Sequence, residues 1–328
     1  AGKRSRQKAM NARFRFTPGV LFLTLSLIAG ASQAQTRPPL IRTAYSALSA
    51  GIGTLWITHE QGIFRKHGLD SNLIYMRSGT TAAQALLAGE IQFAHISPAP
   101  MMAAWIQGAD VALIGTTVHQ MVFTVITDGS IAKGADLKGK KIGVTRIGSA
   151  SDLALRTALE HFGLNSKDVT MISMGGIPDI LAGMRAGAVQ GGVLSPPTST
   201  LARELGYRPL LHIPDLGREF AFSSIATKRS FIQSQPEVAS AFMAALSDGA
   251  KIYKEDSRAA LRVLRKYIGG EDRILEGGYR EYGAAISSPP YPSLKGLEPI
   301  RDSLIDSTPQ LKQADLRKFV DDRFVRAK

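Results

Sequence analysis

Ala88-Gly-Glu-Ile-Gln-Phe-Ala-His-Ile-Ser-Pro98 returns 98 residues later as Ala186-Gly-Ala-Val-Gln-Gly-Gly-Val-Leu-Ser-Pro196. Ala, Gly, Gln, Ser and Pro coincide, and Ile91/Val189 and Ile96/Leu194 are apolar in both. Each copy reads as a helix end, a glycine stop, a buried strand and a Ser-Pro loop. A shorter echo precedes each: His67-Gly-Leu-Asp70 and Phe162-Gly-Leu-Asn165 both lie between a helix and a strand. Repetition of a strand–loop unit at this distance predicts two similar α/β lobes.

The surrounding pattern agrees. Short apolar strands alternate with amphipathic helices up to about residue 230, which predicts mainly parallel sheets. Strands are expected at Leu40–Tyr45, Ser71–Met76, Ile91–Ile96, Ala112–Gly115, Met121–Thr127, Lys141–Thr145, Val169–Ser173, Gln190–Leu194 and Phe222–Thr227. Helices are expected at 80–88 and 151–162, with Ser149 or Ser151 as the cap of the second. From Ser230 the chain reads as helical. Ser234-Gln-Pro-Glu237 has the form of a capping box, Pro289-Pro-Tyr-Pro292 of a rigid loop, and 313–324 of a short terminal helix.

Composition narrows the function. The 328 residues contain no cysteine, which excludes disulfide frameworks, thiolate metal sites and cysteine nucleophiles. The net charge of +13 suggests nucleic acid until it is located. Lys3, Arg4, Arg6, Lys8, Arg13 and Arg15 sit in the first 34 residues without one acid, and the remaining chain carries only a scattered +7. That basic head, the apolar run Val20–Ala29 and the exit Ser32-Gln-Ala34 have the order of a cleaved secretory signal peptide over 1–34. The run is too short to span a bilayer.

In open α/β sheets, ligands bind beyond the carboxyl ends of the strands. Six loops occupy that position: 46–54, 78–81 and 97–100 in one lobe, and 146–152, 175–179 and 195–198 in the other. All are rich in Gly, Ser, Thr or Pro, and several open a helix, whose first amides suit an anionic head group. Two facing lobes also imply hinge closure around a ligand.

Leu55-Trp-Ile-Thr-His-Glu-Gln-Gly-Ile-Phe-Arg-Lys-His-Gly-Leu69 resembles a signature of the nitrate/sulfonate/taurine-type binding proteins of ABC importers, the thiamine-pyrimidine-synthase-like family. Ala85–Ala94, Asp136-Leu-Lys-Gly-Lys-Lys-Ile-Gly-Val144, Gly148-Ser-Ala-Ser-Asp152 and Gly163-Leu164 follow in the same order, over residues 40–265. The resemblance implies a type II periplasmic-binding-protein fold: two α/β lobes joined by two crossover strands, near Val122–Thr127 and Phe220–Thr227, with the ligand in the cleft. The lobes would comprise 35–125 with 224–328, and 126–223. By position in this family, ligand contacts would come from Ser46, Ser49 and Gly51, from Ser78, Gly79 and Thr80, and from Ser97. Across the cleft they would come from Arg146, Gly148, Ser149 and Ser151, then Ser195 and Pro196. No cofactor or metal is implied.

The expected function is a periplasmic, monomeric solute-binding component of an ABC importer. It would deliver a small organic anion, a sulfonate or carboxylate (aromatic ones included), to a permease served by a separate ATPase subunit. Arg146 is the natural bidentate partner for such a head group. Asp152 and Asp179 lie in first helical turns, where capping and binding of a ligand amine are both open. Catalytic signatures are missing: no His-Glu-x-x-His, no Gly-x-Ser-x-Gly and no phosphate loop occur. A sensory binding protein and an enzyme on the same fold are the alternatives.

Overall fold

The computed structural model describes residues 37–325, so the expected signal segment lies outside the described residues. The chain opens with β1 (Leu40–Tyr45), α1 (Gly53–Glu60), α2 (Ile63–Lys66), β2 (Asp70–Tyr75), α3 (Gly79–Ala88), β3 (Phe93–Ile96), α4 (Ala99–Trp105) and β4 (Ala112–Val118). It continues with β5 (Thr124–Thr127), β6 (Lys141–Val144), α5 (Ala150–His161), β7 (Thr170–Ser173), α6 (Ile177–Arg185), β8 (Gly191–Leu194), α7 (Thr198–Glu204) and β9 (Arg208–His212). β10 (Ser223–Thr227) precedes α8 (Arg229–Ser234), α9 (Pro236–Glu255), α10 (Ser257–Tyr267), α11 (Asp272–Gly283) and α12 (Leu294–Leu304).

Two five-stranded sheets result, in the orders β2-β1-β3-β10-β4 and β7-β6-β8-β5-β9. The orders correspond strand for strand. β3 and β8, the two copies of the repeat, hold the central place in each. β5 follows β4 yet pairs antiparallel with β8 and β9, and β10 follows β9 yet pairs antiparallel with β3 and β4. The chain therefore passes between sheets twice, at 119–123 and at 213–222, close to the expected crossovers.

The repeat extends to hydrogen bonds. Gln92 Oε1 accepts from Arg42 N at 2.9 Å, and its counterpart Gln190 Oε1 accepts from Lys141 N at 3.0 Å. Gly89 and Gly187 end their helices near φ 80° and 70°, where a side chain would be strained. The core lies on both faces of the first sheet, as strand alternation requires. Phe93 stacks on Phe242 of α9 at 3.9 Å, whereas Ala94 and Ile96 join Ala82 and Leu86 of α3 in the core on the other face. Trp56, wholly buried, stacks on Tyr267 at 4.8 Å, so it is a core residue.

Two expectations need correction, and one strand is additional to those expected. Ser234 does not cap α9: it ends α8 and donates its hydroxyl back to Ser230 O and Phe231 O. The segment 313–324 is not a helix but short 3₁₀ turns leading to the edge of β4. There Phe319 O accepts from Leu113 N and Asp321 N donates to Leu113 O, so those groups serve the sheet edge. β9 was not anticipated because Pro209 lies within it; an edge strand tolerates that loss of a donor.

Candidate functional site

Between the sheets lies a cavity of about 50 Å³. Both lobes reach it with the starts of their elements. Ser49, Gly51 and Ile52 come from the turn before α1, Gly79 is the first residue of α3, and Ser97 precedes α4. From the second lobe Ser149, Ala150 and Ser151 open α5, Ile177 opens α6, and Ser195 follows β8. The first amides of each helix have no intrahelical acceptor, and the positive end of each dipole faces the same region.

Nine hydroxyl-bearing residues line the cavity: Ser46, Ser49, Ser97, Thr145, Ser149, Ser151, Ser195, Ser223 and Tyr282. Apolar walls come from residues such as Phe123 and Phe222, which meet edge to face at 5.2 Å. No Asp, Glu, Lys, Arg or His lines it. Thr145, Ser149 and Ser151 form a closed hydroxyl triangle with sides of 2.8, 3.0 and 3.0 Å, and Ser151 Oγ also accepts from Thr145 N at 2.8 Å. A hydroxyl both donates and accepts, so such a cluster reorients its protons at little cost to suit a ligand oxygen. Burial raises the Tyr282 phenol above its ordinary value, so it stays a donor through neutral pH.

At the cleft rim, Arg77, just beyond β2, pairs with Asp179 of α6 in the other lobe. The same Asp179 oxygen accepts from Gly176 N at 2.7 Å. Tyr75 and Arg77 lie so close over Gly175 and Gly176 that a Cβ on Gly176 would be 3.3 Å from the Tyr75 hydroxyl.

A family model described as NMT1/THI5 like matches residues 49–260, more than half of the chain. The chain belongs to the NMT1/THI5-like family. Within it, the chain is 26% identical over 258 residues to a provisionally assigned binding protein of Brucella abortus (strain 2308), covering 77% of this chain and 79% of the relative. It is 23% identical over 266 residues to the taurine-binding periplasmic protein of Escherichia coli (strain K12), covering 76% and 81%. The alkanesulfonate-binding protein SsuA of Xanthomonas axonopodis pv. citri, solved with MOPS bound, superposes with a TM-score of 0.73 at 18% identity over 84% of this chain and 95% of that one. The nitrate-binding protein NrtA of Synechocystis PCC 6803 gives 0.67 at 14% over 87% and 86%. These structures share the fold: two α/β lobes, two crossovers and a cleft.

Of the positions that the family pattern nominates, the structure brings Ser46, Ser49, Gly51, Gly79, Ser97, Ser149, Ser151 and Ser195 to the cavity. Five lie elsewhere. Ser78 caps α3, accepting from Thr81 N, and its hydroxyl meets that of Thr80 at 2.9 Å. Gly148 turns the chain at φ 77° and donates its amide to Asp152. Pro196 lies against α11, where a Cβ on Gly278 would be 3.5 Å from Pro196 Cβ. Arg146 is exposed and is not among the residues that line the cavity. Asp152 and Asp179 both cap: each takes a nearby amide and an arginine.

The residues missed by sequence reasoning are Thr145, Phe123, Phe222, Ser223 and Tyr282 above all. Phe123 and Phe222 end the crossovers, and Tyr282 comes from α11, outside the family match. Gly51, which lies in the turn before α1 without a left-handed φ to require glycine, was the available signal for a close neighbour.

Proposed function

We propose that this chain is the substrate-binding component of an ABC importer and that it captures a small oxyanion compound, a sulfonate above all, between its lobes. The observation that carries the reading is the charge-free cavity, where helix starts from both lobes converge on a ring of hydroxyls. Neutral donors and helix dipoles can hold an ionised head group without a counter-ion. A sulfonate remains ionised there, whereas a carboxylate loses part of its charge preference on desolvation. A cavity of about 50 Å³ accepts a head group of a few atoms; cavities that take up benzene measure about 150 Å³. An aromatic ring therefore needs the lobes farther apart.

In this reading the mature protein is a periplasmic monomer released from a 1–34 signal peptide. Lobe closure on the ligand presents both lobes to the permease, and a separate ATPase subunit drives transport. Among the described residues no helix is long and apolar enough to cross a membrane. No carboxylate, imidazole or amine lines the cavity to act as an acid or base, which supports capture over turnover.

A thermal-shift screen of refolded, ligand-stripped protein tests this. The panel holds methanesulfonate, taurine, 1-butanesulfonate, nitrate and acetate. A bound compound at about 100 times its Kd stabilises the fold by about 2.7 kcal/mol, a rise of several degrees in Tm. A shift with the sulfonates supports the reading; flat curves across the panel overturn it.

A further inference from the structure

We propose that Tyr282 is the specificity-determining residue of this cleft, its hydroxyl contacting the bound head group and its ring limiting the room for the tail. This inference rests on the binding-protein reading above. Tyr282 is wholly buried and lines the cavity. Its phenol interacts with Ser49 of one lobe and Ser195 of the other, and reaches the carbonyl of Val122 in the first crossover at 3.5 Å. It is the one cavity-lining residue that brings a large ring and a hydroxyl together.

The helix that carries it touches both lobes along its length. Near the start of α11, Arg273 pairs with Glu204 of α7 in the second lobe. One turn on, the Gly278 backbone approaches Ala50 of the first lobe and Pro196 and Pro197 of the second, with a built Cβ 3.5–3.7 Å from them. Glu281 then faces His212 of β9 at 3.7 Å. Both Gly277 and Gly278 sit in the helix interior, where glycine is costly, and a Cβ on Gly278 would meet both lobes at ordinary van der Waals distance. The third wall of the cleft is thus a helix that follows the segment matched to the family. The Tyr282 ring packs directly on Gly51, where a Cβ would lie 2.6 Å from Tyr282 Cε1.

The test is calorimetric titration of the full mature chain and the Tyr282→Phe and Tyr282→Ala variants with methanesulfonate and 1-butanesulfonate. Tyr282→Phe keeps the ring and the packing, and is expected to weaken both compounds five- to fiftyfold. Tyr282→Ala is expected to move the ratio of the two affinities at least tenfold toward the longer tail. A purely structural role leaves that ratio unchanged. If wild type binds and Tyr282→Phe binds within twofold of it, the proposal is overturned and the binding-protein reading stands, even should the alanine variant fail to fold. Wild type that binds neither compound overturns both.

Discussion

Gly51 and Tyr282 occupy one another's space. A Cβ added to Gly51 would lie 2.6 Å from Tyr282 Cε1 and 3.0 Å from Cδ1, although the residues are 231 positions apart. The loop before α1 is moulded on two buried tyrosines, for Gly53 has the same relation to Tyr253, whose hydroxyl donates to Ala50 O at 2.9 Å. Neither ring can swing aside freely, because each is fully buried. Gly51→Ala is therefore expected to destabilise the protein by about 1–3 kcal/mol through overpacking. Gly129→Ala, with nothing within 4 Å of the new methyl, is expected to stay within about 0.5 kcal/mol. Urea denaturation of the three proteins checks both values.

The charge-free cavity sets a pH signature for binding. A sulfonate head group keeps its charge between pH 5 and 9, and the cavity wall has no group that titrates in that range. Its affinity is expected to be flat across it. A carboxylate entering the same site without a counter-ion has its own pKa raised by desolvation. Acetate, where it binds, is expected to bind more tightly as pH falls toward 5. Titrations at three pH values check this, and a sulfonate affinity that rises on acidification would point to a histidine in the site.

His95 gives the fold itself a pH dependence. Its ring is wholly buried on β3, with Nε2 2.7 Å from Thr117 Oγ1 and Nδ1 without a partner. Burial lowers its pKa from 6.5 to about 3. Between those values the unfolded chain binds a proton that the native state refuses. Stability is therefore full above about pH 6.5 and falls as pH drops toward 3, with a slope of up to about 1.4 kcal/mol per pH unit from this group. Denaturation midpoints at pH 7, 5.5 and 4 should show the decline, and His95→Gln should flatten it whatever its effect on stability at pH 7.

Arg77 and Asp179 join the two lobes at the cleft rim, but the arginine is 66% exposed. Such pairs contribute about 0–1 kcal/mol. Arg77→Ala is expected to raise the ligand dissociation rate two- to fivefold, less at high salt, with little change in association. Asp179→Ala is expected to cost more, because it also strips the cap from Gly176 N. Stopped-flow dissociation at two salt concentrations separates the effects.

Much of this architecture is legible in the sequence for a physical reason. The 88–98 and 186–196 copies carry their helix stops and their buried strands locally, so each unit announces itself, whereas the glutamine bridges to Arg42 N and Lys141 N are long-range. The serines after the strands likewise follow from position. What escaped depends on direction and distance. The Gly148-Ser-Ala-Ser151 turn into α5 fixes where the backbone runs, but not that Arg146 is exposed to solvent. Tyr282 reaches the cavity from a helix far along the chain, and helical periodicity assigns it only to a core. The 313–324 segment has helical spacing, yet the open edge of β4 offers its backbone better partners than a lone terminal turn does.

The most direct test of the central claim is calorimetry of ligand-stripped protein with methanesulfonate, comparing Arg146→Ala with the Ser149→Ala/Ser151→Ala pair. The account predicts one site per chain, an affinity within twofold of wild type for Arg146→Ala, and a loss of at least tenfold when the two hydroxyls are removed. Absence of binding heat with wild type, or loss of binding in Arg146→Ala while the double serine variant binds normally, would contradict it.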